Sequence, residues 1–392
     1  MQESFDPARL KPLYLLDPDL VFLNHGSFGA CPAEVLAVQQ GWQREMERNP
    51  VAFLGRRSAE LLAQARARLA QELGADPAHL VFVPNATQGV NTVARSLPLQ
   101  PGDEILSTDH EYGACDNTWD WVCARSGARR VAVPIPLPYR AEEFVERVWR
   151  AVTPRTRVLF LSHMTSTTAL IFPIQELVRR ARAAGIRSVI DGAHMPGHLP
   201  LDLDDLGADF YTGNCHKWLG APKGAAFLHA RPEQHELLHA LTISWGYSPG
   251  VEGHTGFDAY LGHSLLERRL QWQGTRDISA FLTVPAALDF AARHHWPQVR
   301  QTCHALAMQT LQRVCAYTGL SPLCRDEDFG QMVAIPVPAL DAAVLKQRLF
   351  DEFRIEVLVT QHGPQTFVRA SFQGYNSPAD ANALVAALQT IF

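Results

Sequence analysis

The chain predicts an α/β architecture: a largely parallel sheet covered by helices, followed by a smaller α+β domain. Three observations carry that reading. Short apolar, β-rich runs alternate with amphipathic stretches through most of the chain, as in sheets built from strand–helix–strand units. After about residue 276 the rhythm changes to long helical stretches followed by short strands. The 392 residues, at roughly 150 per domain, leave room for two or three domains. We therefore expect a large domain over residues 21–275 and a smaller one from residues 1–20 plus 276–392, packed together without a low-complexity linker. A cleft between them is the default place for a ligand.

In chain order, the strand-like runs are Leu80-Val-Phe-Val83, Glu104-Ile-Leu-Ser107, Arg130-Val-Ala-Val133, Arg157-Val-Leu-Phe-Leu161, Arg187-Ser-Val-Ile190 and Ala225-Ala-Phe-Leu228. Amphipathic segments such as Glu34 to Gln40 and Ile174 to Gly185 read as covering helices, the second ending on a glycine suited to a C-terminal cap. Beyond residue 276, helices are expected over Ser279–Arg293 and Val299–Tyr317, strands around Val333–Val337, Ile355–Leu358 and Thr366–Ala370, and a last helix near Pro378–Leu388.

Composition removes several function classes. With 47% hydrophobic and 19% charged residues, and 26 Gly beside 26 Pro, the chain has ordinary globular usage rather than that of a disordered or fibrous protein. A net charge of −5, from 40 acids against 35 bases, argues against a broad nucleic-acid face, although Arg56–Arg57 can serve a small anion. No run approaches the ~18 apolar residues of a membrane span, and the charged start lacks the apolar core of a secretory signal. A cytoplasmic protein with no membrane partner is expected. The seven cysteines are scattered with no C-x-x-C pair, so they support neither a disulfide framework nor a metal site, and most read as small buried hydrophobes.

Three segments carry chemistry. Lys217 lies in Asn214-Cys-His-Lys-Trp-Leu-Gly220, between a polar turn and a glycine-rich loop. A lysine in a partly desolvated pocket can lose enough basicity to form a Schiff base with a carbonyl; the alternative is a surface lysine, the role we give to Lys223. Asp191 and His194 end the run Ser188-Val-Ile-Asp-Gly-Ala-His194, at the strand end that faces the ligand crevice of an open α/β sheet. There Asp191 can pair with the protonated nitrogen of a pyridine cofactor, or simply cap a turn. The third segment is Val83-Pro-Asn-Ala-Thr-Gln-Gly-Val-Asn91, a strand running into a helix start with Ala86 and Thr87, where free N–H groups and a hydroxyl can seat a phosphate.

Together these motifs resemble the class V aminotransferase family of fold type I pyridoxal-phosphate enzymes. Phe22-Leu-Asn-His-Gly-Ser-Phe-Gly29, Asp109-His-Glu-Tyr-Gly-Ala114, Asp191-Gly-Ala-His194 and Asn214-Cys-His-Lys217 are most similar to its isopenicillin N epimerase-like branch. The resemblance covers nearly the whole chain. It implies a mostly parallel seven-stranded sheet, pyridoxal 5'-phosphate as cofactor, a small amino-acid substrate and a homodimer with shared sites. It makes Lys217 the Schiff-base lysine and Asp191 the partner of the pyridine nitrogen. His110 takes the position that stacks on the cofactor, with Tyr112 as its substitute. His194 lies near the phenolic oxygen, and Ala86, Thr87, Asn214 and His216 hold the phosphate. Thr275, in Gln273-Gly-Thr-Arg276, reaches the neighbouring subunit's cofactor, and Arg369, in Phe367-Val-Arg-Ala-Ser371, grips the substrate carboxylate. Asn24, His25 and Tyr112 are expected at the substrate, and His25, Tyr112 or a water are the candidates for a second acid.

The chain departs from the family pattern twice. Met164-Thr-Ser-Thr-Thr168 stands where an asparagine is common, leaving Ser166 as the candidate there. The stretch Val357 to Phe367, where desulfurases carry a persulfide-forming cysteine, has none, which disfavours that chemistry. The expected reaction is epimerisation at Cα. Carbon–sulfur lyase chemistry of the hercynylcysteine sulfoxide lyase kind, transamination and a non-catalytic dimeric module are the alternatives.

Overall fold

The computed structural model describes residues 7–248 and 260–392; residues 1–6, which hold most of the charged start, lie outside them. Its strands are β1 (Val21–Phe22), β2 (Leu80–Val83), β3 (Glu104–Thr108), β4 (Arg129–Val133), β5 (Thr156–Ser162), β6 (Arg187–Asp191), β7 (Phe210–Asn214), β8 (Ala226–Ala230), β9 (Met332–Val337), β10 (Ile355–Glu356), β11 (Leu358–His362) and β12 (Gln365–Ser371). Seven of them form one sheet in the order β2-β8-β7-β6-β5-β3-β4. Neighbours from β7 to β4 run parallel, while β8 is antiparallel to both β7 and β2. All residues of β2, β3, β7 and β8 are buried, the state of strands covered on both faces by helices.

The six strands expected around this sheet are present to within two residues at each end, but β7 was not foreseen. Its sequence Phe-Tyr-Thr-Gly-Asn turns polar halfway and carries a glycine, so it reads as a turn. Gly213 is there because the strand is crowded: a Cβ would stand 2.7 Å from Pro196 and 2.8 Å from the Phe227 ring. The helix expected over Ser279–Arg293 is divided into Ser279–Leu282 and Val284–Arg293, with Pro285 in the first turn of the second piece, where its missing N–H costs nothing.

A three-stranded antiparallel sheet, β11-β12-β9, carries Arg369 in its middle strand, opposite Leu358 on one side and Ala334 on the other. The β1 segment near the amino terminus pairs in parallel with β10, tying the chain's start to this carboxy-terminal part. Among the described residues no helix is long and apolar enough to cross a membrane. All seven cysteines are free, and five of them are buried, as expected of small hydrophobes.

Parallel strands in register bring their carboxyl ends to one line. Ser162 at the end of β5 is paired with Asp191 at the end of β6, which is paired with Thr212 of β7, two residues before Asn214. Helix Ala86–Ser96 starts three residues after β2, capped by the Asn85 side chain, which accepts from Gln88 N at 2.8 Å. Its amino terminus opens toward the same line.

Candidate active site

A cleft of about 700 Å³ lies over these strand ends. Its floor holds Ser162, Asp191, Asn214 and Lys217; Ala86, Thr87 and His216 stand to one side, and Ser27, Phe28, Tyr112, Leu358 and Arg369 contribute from other elements.

Lys217 is surrounded by protein. Loss of hydration, with the Arg369 charge adding to it and Asp191 opposing it, brings the amine down to about 7. Its Nζ is 3.1 Å from His194 Nε2, and Trp218 Nε1 donates to the other nitrogen of that ring at 3.4 Å. Burial holds His194 well below the usual histidine range, so its ring is neutral; with Nδ1 accepting from Trp218, the ring proton is on Nε2, which donates to the lysine amine. Asp191, 4% exposed, has no ion-pair partner among the described residues. Burial raises its carboxyl, offset in part by Ala193 N, which donates to Oδ1 at 2.9 Å, and by the Lys217 charge. The Cys115 thiol donates to Oδ2 at 3.5 Å. A buried carboxylate without a cation is costly and suits a ligand that brings a protonated nitrogen.

Arg369, 1% exposed, donates from Nη1 to Ser166 O at 2.6 Å and from Nη2 to Ser27 Oγ at 3.1 Å, while its Nε has no partner. A buried guanidinium without an acidic partner among the described residues suits an anion that enters the cleft. Its partners are neutral, and desolvation lowers its pKa to about 10.

At the helix start, Ala86 N donates to Asn214 Oδ1 at 2.9 Å, so this N–H is already used and Asn214 braces the helix. The His216 Nδ1 is committed to Ala225 O at 2.9 Å, leaving Nε2 for the cleft. Burial lowers this imidazole to about 4, so a bound phosphate must draw in a proton to gain a donor from it.

Three expectations are corrected. His110 does not face the cleft: its Nδ1 meets Thr168 Oγ1 at 2.8 Å, its Nε2 meets Ile135 O at 2.9 Å, and its ring stacks on His362 at 4.0 Å. Tyr112, two residues on, is the ring in the cleft lining. His25 is also turned into the protein. Its Nδ1 contacts Tyr375 Oη at 2.8 Å and its Nε2 contacts Lys217 O at 3.0 Å, and burial lowers it to about 3, which removes it as a proton donor. Asn24 faces away as well, donating to Glu356 Oε1 at 3.2 Å and accepting from Ser27 Oγ at 2.6 Å. Both act behind the lining, His25 by bracing the lysine loop and Asn24 by orienting Ser27.

Of the remaining residues, Ser166 lines the cleft but is engaged with Arg369. Thr275 is exposed on a turn whose Gly274 has φ of +100°, away from this cleft. Lys223 is exposed and donates to Gly29 O at 2.7 Å. Ser27, Phe28, Cys115 and Glu111 were not foreseen. Ser27, Phe28 and Glu111 lie inside segments the sequence did mark, and only the position of the residue within each was misjudged. Cys115 carried no signal beyond its burial.

The family model described as aminotransferase class V matches residues 22–384. The chain belongs to this family. Isopenicillin N epimerase from Streptomyces clavuligerus is 38% identical over 96% of both chains. A probable chloroplastic L-cysteine desulfhydrase from Arabidopsis thaliana is 30% identical over 94% of this chain and 82% of its own length. The solved structure of a C-DES mutant, with glycine covalently linked to its PLP cofactor, shares the fold at a TM-score of 0.82 and 22% identity, covering 98% of both chains. Relatives named as an epimerase and as a desulfhydrase thus align over most of this chain, and its cleft must be read on its own residues.

Proposed function

We propose that the protein is a pyridoxal-phosphate enzyme that epimerises an amino-acid substrate at Cα. The observation that carries this reading is Lys217: a buried amine brought down to about 7, so that free base is available at neutral pH, between a carboxylate that lacks a cation and a guanidinium that lacks an anion. Those two unmet needs fit the cofactor's ring nitrogen and the substrate's carboxylate. Asp191 would hold the ring nitrogen, Tyr112 the ring, His194 and Ser166 the region of the phenolic oxygen, and Thr87, Asn214 and His216 the phosphate. Pyridoxal phosphate, when bound, supplies an electron sink for the charge left at Cα.

The protein's own groups do the rest. Arg369 fixes the substrate by its carboxylate and so aims the Cα–H bond. Lys217 Nζ takes the proton, a base whose pKa near 7 suits neutral pH. Inversion needs a second proton donor. With His25 turned away, Tyr112, in the cleft lining and 45% exposed, is the remaining side chain of the two expected for that task. We further propose that the enzyme is a cytoplasmic homodimer, with exposed Thr275 reaching the partner's cleft; free cysteines fit a reducing compartment.

The likeness to isopenicillin N epimerase over almost the full length favours epimerisation. The likeness to the cysteine desulfhydrase supports a second reading, carbon–sulfur lyase chemistry, in which the cleft must admit and protonate a departing sulfur. Transamination stands third. A substrate screen in deuterated water separates them. Deuterium at Cα with inversion and no keto acid is the expected result; pyruvate, ammonia and a released thiol or sulfenate with little inversion would replace the epimerase by the lyase.

A further inference from the structure

We propose that His79, Asp204 and His229 form a site for one divalent transition-metal ion, of the Zn²⁺ type, at the end of the large sheet away from the cleft. His79 immediately precedes β2, His229 lies on β8 opposite Leu80, and Asp204 is on the short helix Leu203–Leu206. Pro84 to Thr87, which line the cleft, follow the other end of β2. The site is therefore separate from the catalytic one.

The three side chains offer two imidazole nitrogens and one carboxylate oxygen, all within 4.8 Å of one another. Small rotations bring such a set onto an ion whose bonds run ~2.0–2.2 Å, and two histidines plus a carboxylate, with water in the fourth position, suit Zn²⁺. A second observation points to a ligand. His229 is 2% exposed, and neither of its ring nitrogens has a hydrogen-bond partner among the described residues. A buried imidazole left this way is unfavourable unless something coordinates it. Its Nε2 stands 3.9 Å from Asp204 Oδ1, too far for a hydrogen bond but suitable for two ligands of one ion.

The surroundings fix the geometry. Asp204 N donates to Gly74 O at 3.0 Å, and the His79 ring stands edge-on to His229 with centroids 6.0 Å apart. Arg231, the nearby cation, is paired with Asp209 and Glu233. His235 is close to His79, but its Nε2 is held by Ala230 O at 2.9 Å, so it supports rather than ligates. The other imidazole–carboxylate group, Asp109, His110 and His362, lacks this vacancy, because both His110 nitrogens are engaged. A bound ion would pin the 203–206 helix to the β2–β8 edge. The cysteine spacing could not reveal it, because no cysteine takes part.

The test uses the cofactor-loaded enzyme, treated with a chelator, dialysed and titrated with ZnCl₂ by calorimetry, with metal content read by mass spectrometry. The expected result is one Zn²⁺ per chain and a thermal midpoint that rises with Zn²⁺. His79→Gln and Asp204→Asn should each weaken binding by at least ~10–100-fold, the cost of removing even an outer partner of a metal ligand, while leaving the cofactor absorbance unchanged. His229→Asn should abolish binding; if that variant does not fold, the two more exposed positions decide. Zn²⁺ affinity equal in wild type and both exposed variants, or no stoichiometric binding by wild type, overturns the proposal.

Discussion

The floor of the cleft and its rim are held in different ways. Ser162, Asp191 and Asn214 on the floor are 2–5% exposed and end strands of a continuous ladder, so the sheet's hydrogen bonds fix their positions. On the rim, Phe28 is 74% and Tyr112 45% exposed, and both sit on short connecting elements. A rigid floor holds Asp191 and Asn214 in fixed positions, while a rim built on loops can be altered without disturbing the fold. A scaffold divided in this way is compatible with relatives named as an epimerase and as a desulfhydrase.

Substitutions on the floor should therefore remove every reaction, and substitutions on the rim should redirect one. The largest expected effect is that of Lys217→Ala: no turnover with any substrate and no visible absorbance of a lysine–cofactor adduct, the protein remaining folded. Borohydride-stable cofactor on another lysine would show that the base has been misassigned. Asp191→Asn should keep the adduct but lose on the order of 10²–10³-fold in kcat, the scale for removing one preorganised electrostatic partner of a developing charge. Near-normal turnover would reduce Asp191 to a turn cap.

Tyr112→Phe tests the rim. If its hydroxyl returns the proton, inversion should fall by about 10²-fold, the lower end for a general acid, while exchange of the Cα proton with solvent persists. Parallel loss of exchange and inversion would instead give Tyr112 only a stacking role. Arg369→Lys joins floor to rim. A planar fork becomes a point charge, so substrates with an α-carboxylate should bind about 10–150-fold more weakly, from a charge-assisted bond worth about 1.5–3 kcal/mol. Equal damage to the corresponding decarboxylated amines would contradict the assignment.

The same contrast explains what the sequence made legible. Lys217, Asp191, His194 and Asn214 follow strand ends that apolar runs announce, and a strand end has one direction to face. In Asp109-His-Glu-Tyr112 the chain leaves β3 and turns before the helix at Gly113, so which of four adjacent side chains meets the cleft depends on that turn. The family resemblance gives the stacking position to His110, but Thr168 and Ile135 capture its ring. His25, expected at the substrate, lies in a marked segment too, but Tyr375 and Gln373, 350 and 348 residues away in sequence, decide its orientation. Strand β7 was hidden because the tight approach of Pro196 and Phe227 selects a glycine at its fourth position.

The smallest effect concerns Glu111, which lies directly beneath the rim and clamps the floor. It is fully enclosed, and its carboxylate accepts from Ser162 N at 2.7 Å, Ser162 Oγ at 2.6 Å and Thr108 Oγ1 at 2.7 Å. Desolvation, with a contribution from Asp191, outweighs these bonds and raises its pKa from 4.5 to about 7. The folded protein then keeps this proton up to about pH 7, whereas the unfolded chain releases it near 4.5. Between those values the folded state binds more protons, so this group's contribution to stability falls as pH rises, by at most about 1.4 kcal/mol per pH unit. Glu111→Gln removes the titration, keeps an oxygen for Ser162 and offers an N–H to the Thr108 hydroxyl. Urea midpoints of the cofactor-free protein should therefore shift in favour of the variant, relative to wild type, from pH 5 to pH 7 and level off above that. A difference between the two proteins that does not change with pH would mean that Glu111 is ionised throughout, with its three donors and not its burial deciding its charge.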